Sequence, residues 1–230
     1  MAGYILSETK HRVVIATMES ENSKTGNMVQ IWILPRNIAP HIAVRTGEDR
    51  VVCGDCKHRG TSCYVVTFQG PLSVWSAYQR GVYPKLETRD YSTVFSGRMV
   101  RLGAYGDPAF IPQRVVAAIV SSADGHTGYT HQWTRAAWLK GTVMASVDSL
   151  EELQVARANG WRTFRVSSTL DVQKGEILCP ASDEAGKRTT CEECGLCDGM
   201  HGNPRHPIDN RKSIMIPVHG RGADKFKILA

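Results

Sequence analysis

The seven cysteines of this 230-residue chain fall into two groups whose spacing is typical of metal ligands. The first group consists of Cys53, Cys56 and Cys63, in the stretch CGDCKHRGTSCYV. The second group consists of Cys179, Cys191, Cys194 and Cys197, in the stretch CPASDEAGKRTTCEECGLC. Thiolates two residues apart converge on one point, and such points usually hold zinc or an iron–sulfur cluster. The sequence therefore predicts a metal-binding protein with two separate metal sites.

A disulfide framework explains these cysteines less well. Such frameworks are typical of short secreted chains, and an odd number of cysteines leaves one thiol unpaired. The first residues, MAGYILSETKHRVVIATMES, lack the charged segment and continuous apolar run of a signal peptide. No stretch approaches the ~18 apolar residues of a membrane span. We therefore expect a reducing, cytoplasmic location and no membrane association.

The first cysteine group supplies three ligands, and its fourth ligand is either His58, inside the same loop, or an external molecule. A structural zinc ion takes four protein ligands, whereas a site that keeps one position open is typically catalytic. Three thiolates also suit a [4Fe–4S] cluster that has one exposed iron. The spacing alone leaves the choice between zinc and iron–sulfur open.

The second cysteine group supplies four ligands by itself. Its Cys-x2-Cys-x2-Cys core is similar to the ligand run of ferredoxin-type clusters, and a zinc tetrathiolate is an equally good interpretation. The segment 168–212 around it lacks strong periodicity. A metal there would hold this segment together, so its role need not be catalytic.

Short apolar runs rich in β-branched residues alternate with amphipathic runs along most of the chain. After a first strand at 12–18, six strands are predicted at 29–34, 98–105, 128–133, 142–147, 162–167 and 213–218. Helices are predicted at 70–81, 111–125, 134–141 and 148–160. This alternation indicates βαβ units and a parallel sheet, and hence an α/β fold.

Polar residues cluster where these predicted strands end. Gly106 and Asp107 follow the second of the six strands, His131 lies in the third, Asp148 follows the fourth, and the first cysteine group follows the first strand. Chemistry in parallel sheets concentrates at the carboxyl ends of the strands, so we expect these residues at one edge. Two simpler roles stay open. Asp107 would cap the helix at 111–123, and His131 would be a buried core histidine.

This layout resembles that of the radical SAM enzymes, which use S-adenosylmethionine (SAM) and fold as a partial (β/α)6 barrel. In that superfamily a three-cysteine loop follows the first strand, often with an aromatic residue beside the third cysteine, as Tyr64 follows Cys63 here. A short acidic motif at the end of the second strand holds the SAM amino group, and Gly106 and Asp107 in RLGAYGDPA occupy that place. The CEECGLC segment looks like the ligand run of an auxiliary cluster.

The resemblance implies a partial (β/α)6 barrel formed by residues 1–167 and 213–230, with a cysteine-rich metal-binding insertion at 168–212 before the last strand. It also implies one or two [4Fe–4S] clusters on the seven cysteines, and SAM held by Gly106, Asp107, Tyr64 and His131, with an unknown substrate. The spacing Cys-x2-Cys-x6-Cys differs from the usual Cys-x3-Cys-x2-Cys. A relative that keeps the barrel and the cluster without the radical chemistry is therefore an alternative.

More narrowly, the layout resembles uncharacterised phage-encoded proteins. These have a cysteine loop ending in CY, a strand ending in GD, and a late CxxCxxC followed by a strand ending in VHG. The alternative function is accordingly a zinc-binding phage-type protein that binds nucleic acid or a protein partner, located in the host cytoplasm. The net charge of +6 is spread along the chain, so we expect weak nucleic-acid binding without sequence preference.

Overall fold

A nine-stranded sheet forms the centre of the protein. The computed structural model of the chain describes residues 2–201, 211–220 and 222–226. The strands are β1 (Gly3–Glu8), β2 (Arg12–Thr17), β3 (Val29–Pro35), β4 (Met99–Tyr105), β5 (Gly125–Thr130), β6 (Met144–Val147), β7 (Thr163–Ser167), β8 (Glu176–Leu178) and β9 (Ser213–Pro217). The helices are α1 (Pro40–Thr46), α2 (Arg50–Cys53), α3 (Gly70–Gln79), α4 (Tyr91–Phe95), α5 (Gln113–Ser122), α6 (Leu150–Ala158), α7 (Cys191–Cys194) and α8 (Ala223–Phe226).

The strand order in the sheet is β1-β2-β3-β4-β5-β6-β7-β9-β8. The first three strands pair antiparallel, and every later pairing is parallel. The six strands predicted to be parallel are therefore β3, β4, β5, β6, β7 and β9, which lie side by side in chain order. The fold is α/β, as predicted. In the described part of the chain the sheet is open, because no pairing joins its end strands β1 and β8.

The structure adds two strands that the sequence does not predict. Strand β1 has one short apolar run, Tyr4 to Leu6, and four of its six residues are only partly buried, as is usual at a sheet edge. Strand β8 has three residues and depends on its pairing with β9. Both strands extend the predicted sheet at its edges, so the order of the central strands is unaffected.

One strand boundary and one helix differ from the prediction, each for a local reason. The third parallel strand is Gly125–Thr130 rather than 128–133, so His131 follows the strand instead of lying within it. It ends there because the backbone N–H of His131 donates to Asp107 Oδ2 (2.8 Å) and no longer joins the sheet. The helix predicted at 134–141 is wrong, since only a single 3-10 turn forms at Ala137–Leu139. A run this short gains too few hydrogen bonds to offset helix nucleation.

The two faces of the sheet are covered by different parts of the chain. Successive residues of a strand point to opposite faces. On β6, Ala145 belongs to the large core beneath the helices, whereas its neighbour Met144 belongs to a smaller cluster with Phe164, Cys179 and Ile214. Cys191 and Cys197 pack against this smaller cluster. The helices therefore cover one face, and the cysteine-rich segment covers part of the other.

The cysteine-rich segment 168–212 contributes strand β8 and helix α7 to the fold. Its residues 202–210 lie outside the described residues, as do residues 221 and 227–230 of the C-terminal part. The backbone carbonyl of Cys197 accepts a hydrogen bond from the N–H of Gly128 on β5 (2.9 Å), which attaches the segment directly to the sheet. None of the described helices combines the length and the apolar character needed to cross a membrane.

Candidate functional site

One cavity of about 330 Å³ contains all of the site residues that the sequence predicts. Its lining includes the seven cysteines together with Gly106, Asp107, Tyr64 and His131. It extends from the carboxyl ends of the parallel strands over the sheet face that the cysteine-rich segment covers. The fold thus brings the two cysteine groups, which are far apart in the sequence, to the walls of a single cavity.

The first cysteine group lies in the loop between β3 and α3. Cys53 is the last residue of α2, and the following Gly54 has a φ of +60°, which L side chains rarely adopt. A Cβ at Gly54 would also lie 2.7 Å from the side-chain carbon of Gln132. The loop then turns back through a hydrogen bond from the Cys63 N–H to the His58 carbonyl (3.0 Å). Cys63 is the one exposed residue of this group, although burial also raises the pKa of its thiol.

A buried aspartate and an arginine hold this loop in shape. Arg59 donates to Asp49 Oδ1 (2.6 Å), to the Gly47 carbonyl (2.8 Å) and to the Gly54 carbonyl (3.1 Å). These contacts tie both ends of the short helix α2 to one guanidinium. The position of Cys53 is therefore fixed by the loop itself, before any metal binds.

Burial makes the thiolate form of this group unfavourable in the absence of a cation. Burial raises the pKa of Cys53 well above its usual value, and the nearby Cys56 raises it further. Burial likewise raises the pKa of Cys56 to about 12. Metal ligation requires the thiolate, so loading this site exchanges bound protons for a cation.

The second cysteine group is built on helix α7 and on the end of β8. Thr190 and Glu193 form a capping box at the start of α7, in which each side chain binds the backbone N–H of the other. The N–H groups of Cys191 and Glu192 donate to the carbonyls of Lys24 (2.9 Å) and Thr25 (3.0 Å). The loop before β3 therefore supports this helix and lines the same cavity.

Buried ion pairs fix the end of this second group. Asp198, which follows Cys197, accepts hydrogen bonds from Arg162 (3.2 Å) and from Arg211. All three of these charged side chains are less than one tenth exposed. Burial raises the pKa of Cys197 well above its usual value, and Cys179, Cys191 and Cys194 raise it further. This group is thus rigid and enclosed, with four thiols of its own.

Gly106 and Asp107 form a tight corner at the end of β4. Gly106 has a φ of +80°, and a Cβ there would lie 2.6 Å from the Ile33 carbonyl oxygen, so glycine is required. The carboxylate of Asp107 accepts hydrogen bonds from Thr130 Oγ1 (2.6 Å), the Ala109 N–H (2.9 Å) and the His131 N–H (2.8 Å). Burial nevertheless raises the pKa of Asp107. Asp107 is the N-cap of the 3-10 turn Pro108–Phe110. It does not cap the helix predicted at 111–123.

Comparison with models of known protein families, with curated proteins and with solved structures finds no match to this chain. The chemistry of the cavity is therefore the basis for the function proposed below.

One polar residue of the cavity is missed by the sequence-based prediction. Arg101, in the middle of β4, is almost fully buried, lines the cavity, and donates to the hydroxyl of Tyr64 (2.7 Å). The Tyr64 ring also lies 5.8 Å from that of His219. The sequence does contain a signal for this residue, namely an arginine inside an apolar strand. A charged side chain is rarely buried unless it has a partner.

The described residues contain one group of three His, Cys, Asp or Glu side chains whose ligand atoms all lie within 4.8 Å of one another. That group is His58, His131 and Asp148. His58 therefore faces His131 and Asp148 and is not placed as the fourth ligand of the first cysteine group. Burial lowers the pKa of His131. The sequence placed His131 and Asp148 at one edge of the sheet but gave no reason to group them with His58.

Proposed function

We propose that the protein is an iron–sulfur enzyme of radical SAM type that acts on an unknown substrate. Cys53, Cys56 and Cys63 bind a [4Fe–4S] cluster with one open iron position, and the second cysteine group binds an auxiliary cluster. The six parallel strands would then represent a partial (β/α)6 barrel whose interior is the cavity.

The observation that carries this proposal is the shared cavity. A three-thiol loop follows the first parallel strand, Gly106 and Asp107 end the second parallel strand, and both line one cavity. The remaining four cysteines line it as well. A site with an open ligand position, an acidic corner and a further thiol group around one space is the arrangement that SAM cleavage next to a substrate needs.

The donor atoms fit a cluster better than they fit a single zinc ion. Four sulfurs at ~2.3 Å from a tetrahedral zinc lie only ~3.8 Å apart. In the described residues no three cysteine sulfurs lie within 4.8 Å of one another. His58 does not complete the first group, because its Nδ1 lies 2.6 Å from Ser62 Oγ and its Nε2 lies 3.0 Å from Asp148 Oδ1. The first group thus offers three thiols and no fourth protein ligand, which is the ligand count of a [4Fe–4S] cluster with one open iron position.

The residues around the first group suit the amino-acid part of SAM. Three of the roughly four lone-pair positions of the Asp107 carboxylate are occupied, which leaves one on Oδ2 for an ammonium group. The buried guanidinium of Arg101 is a partner for a carboxylate, and Tyr64 and His131 line the space between. A cluster held there would, once reduced, supply the electron for the reductive cleavage of SAM. The chain's own part is to hold and orient SAM and to exclude water.

The first test is elemental. Protein purified without oxygen should be brown and should contain iron and acid-labile sulfide in a ratio near one to one. Reduced protein supplied with SAM should then release 5′-deoxyadenosine, measured by mass spectrometry, even without a substrate. Protein with a full cluster that neither binds nor cleaves SAM would refute the proposal.

Two variants separate the cluster from SAM binding. Cys63→Ala should abolish both the first cluster and SAM cleavage. Asp107→Asn should retain the iron but bind SAM more weakly, by about 1.5–3 kcal/mol for a charge-assisted hydrogen bond. Asp183→Asn, which changes a carboxylate exposed at the surface, is the matched control and should bind SAM normally.

Zinc at the second group is the second candidate, because four cysteines need no external ligand. Its sulfurs would have to move closer together to bind one ion, since no three of them lie within 4.8 Å of one another. This candidate belongs to the alternative of a zinc-binding protein that recognises nucleic acid or a protein partner. Zinc without sulfide at both groups, in colourless protein, would favour that alternative over the enzyme.

A further inference from the structure

Three side chains from separate parts of the chain meet beside the cavity. His58 comes from the first cysteine loop, His131 directly follows β5, and Asp148 directly follows β6. Nε2 of His58 lies 3.0 Å from Asp148 Oδ1, and Nε2 of His131 lies 3.9 Å from Asp148 Oδ2. Because β5 and β6 are adjacent parallel strands, their carboxyl ends bring the last two residues together.

The facing atoms of these three side chains lack hydrogen-bond partners. His58 Nε2, His131 Nε2 and Asp148 Oδ1 are all buried and make no hydrogen bond of acceptable geometry. The first and last of these atoms are 3.0 Å apart, in ion-pair contact that does not meet the geometry of a hydrogen bond. A buried polar atom left in this way has lost its hydrogen bonds to water without gaining others, which is unfavourable. Three such atoms around one point indicate that a cation normally satisfies them.

The separations fit ligands of one ion. Two ligands that lie ~2.1 Å from a metal at a right angle to each other are ~3.0 Å apart, and wider angles give longer separations. Two imidazoles and one carboxylate are the donor set that borderline divalent metals prefer, and three protein ligands leave other positions open.

The surroundings of His58 prepare it for ligation. Its Nδ1 lies 2.6 Å from Ser62 Oγ, and its ring stacks on Phe226 at 5.5 Å with an interplanar angle of 9°. A histidine that binds a metal through one nitrogen usually donates its other N–H to a fixed partner, which sets the tautomer and the ring orientation. Ser62 is placed to supply that partner here, and when Nδ1 donates to it, Nε2 carries the free lone pair.

We propose that His58, His131 and Asp148 bind a single divalent first-row transition metal ion such as Fe²⁺, Co²⁺ or Zn²⁺, at a site separate from both cysteine groups. His58 and His131 line the cavity, so the open positions of this ion are available to water or to an oxygen or nitrogen atom of a cavity ligand. The proposal does not depend on the identity of the metal at the cysteines.

Cobalt tests the site, because thiolate ligation of Co²⁺ produces intense near-ultraviolet charge-transfer bands and imidazole–carboxylate ligation does not. Full-length protein whose cysteine sites are already loaded is titrated with Co²⁺ alone. We expect one further equivalent to bind without new sulfur charge-transfer absorption. His131→Ala and Asp148→Asn should lose this equivalent and retain the thiolate-bound metal, which also reports that the variants are folded.

Two further variants refine the result. Ser62→Ala should weaken the affinity for the extra ion by about 10–100-fold, because it removes the partner of His58. His219→Ala is the matched control, since His219 lines the same cavity but lies outside the group of three. It should bind the extra equivalent with unchanged affinity.

A measurement on the unmodified protein keeps the proposal testable if the variants do not fold. The Co²⁺ form should show two hyperfine-shifted, exchangeable imidazole N–H resonances in its proton spectrum, one from each ligated histidine. The absence of such resonances, or an extra equivalent that persists in Asp148→Asn, would overturn the proposal. It would also be overturned if His131→Ala released the thiolate-bound metal as well, because the histidines would then support the cysteine site.

Discussion

The two cysteine groups line one cavity, but the chain holds them in place in different ways. Behind the second group, Asp198 pairs with Arg162 and Arg211, and these side chains are all buried. The first group has one largely buried pair, Arg59 with Asp49, but its other ion pairs, of Asp55 with Arg50 and Arg135, lie at the surface. Surface ion pairs contribute little to stability, whereas breaking a buried pair is costly.

The exposure of the cysteines also differs between the two groups. Cys63 of the first group is exposed as a residue, although burial raises the pKa of its thiol, and all four cysteines of the second group are at least partly buried. A site that must admit a ligand needs an open position and a loop that can adjust, and regions with few buried contacts open most easily. The comparison therefore suggests that the first group is the reactive centre and that the second is mainly structural.

The largest expected effect comes from removing the second metal. Cys197→Ser should lose the metal of the second group only, and it should lower the free energy of unfolding by up to about 10 kcal/mol, because structural metal binding is coupled to folding. Metal analysis and denaturant unfolding measure the two quantities. Cys63→Ser is the matched control and should lose the metal of the first group with a smaller loss of stability. If Cys197→Ser releases the metal of both groups, the two groups form one shared site and the comparison fails.

The next effect concerns the ion pairs. Arg162→Ala leaves Asp198 buried with a partner removed, so we expect a loss of about 3–5 kcal/mol in unfolding free energy. Arg135→Ala removes an exposed partner of Asp55 and should cost about 1 kcal/mol or less. Urea denaturation of both variants gives the difference. Equal losses would mean that the second group is not held more firmly than the first.

The sequence predicts the central sheet well because its signals are local. Strands β3 and β9 are short apolar runs with several β-branched residues, and β2 and β3 are so continuously apolar that burial on both faces follows. Strand β5, GHTGYT, has no such run, and its predicted bounds were wrong. The cysteine spacing likewise predicts which residues belong together within each group. The spacing does not predict that both groups line one cavity. That depends on the order of the strands in the sheet, because Cys197 contacts Gly128, which is distant in the sequence.

The prediction fails where one distant contact decides the outcome. The end of β5 is set by the carboxylate of Asp107, which takes the backbone N–H of His131, and no pattern near residue 131 reveals this. The grouping of His58 with His131 and Asp148 depends on the path of the cysteine loop over the sheet edge. Spacing in the sequence carries no information about such a meeting of three segments.

A series of glycine substitutions gives a smaller and more graded comparison. Gly54, Gly199 and Gly186 all have positive φ, at +60°, +77° and +79°. A Cβ added at Gly54 would meet the side chain of Gln132. One added at Gly199 would lie 2.5 Å from the backbone oxygen of Val143, and one added at Gly186 would have nothing within 4 Å. Gly186→Ala should thus cost only the backbone strain of about 1–2 kcal/mol. Gly54→Ala should lower the free energy of unfolding slightly more, and Gly199→Ala should lower it the most. The reason is that the backbone of Val143 can shift less than the side chain of Gln132.

Thermal or chemical denaturation of the three alanine variants gives this ranking directly. Gly54 lies in the first cysteine loop and Gly199 just beyond the last cysteine of the second group, so the series also probes how far each group can adjust. A larger loss for Gly54→Ala than for Gly199→Ala would reverse our assignment of the rigid and the adaptable region.

The smallest expected effect is on nucleic-acid binding. If the net charge of +6 contributes to binding, duplex DNA should bind weakly, with a log–log salt slope of about −0.9 for each phosphate neutralised. Arg188 is exposed in the cysteine-rich segment, and Arg45 is exposed on α1, near the first group. Because the positive charge is spread out, Arg188→Gln and Arg45→Gln should each change the affinity slightly and equally, for any DNA sequence. Fluorescence anisotropy at several salt concentrations measures this. Sequence-selective binding that Arg188→Gln alone removes would instead make the second group part of a nucleic-acid interface and favour the zinc alternative.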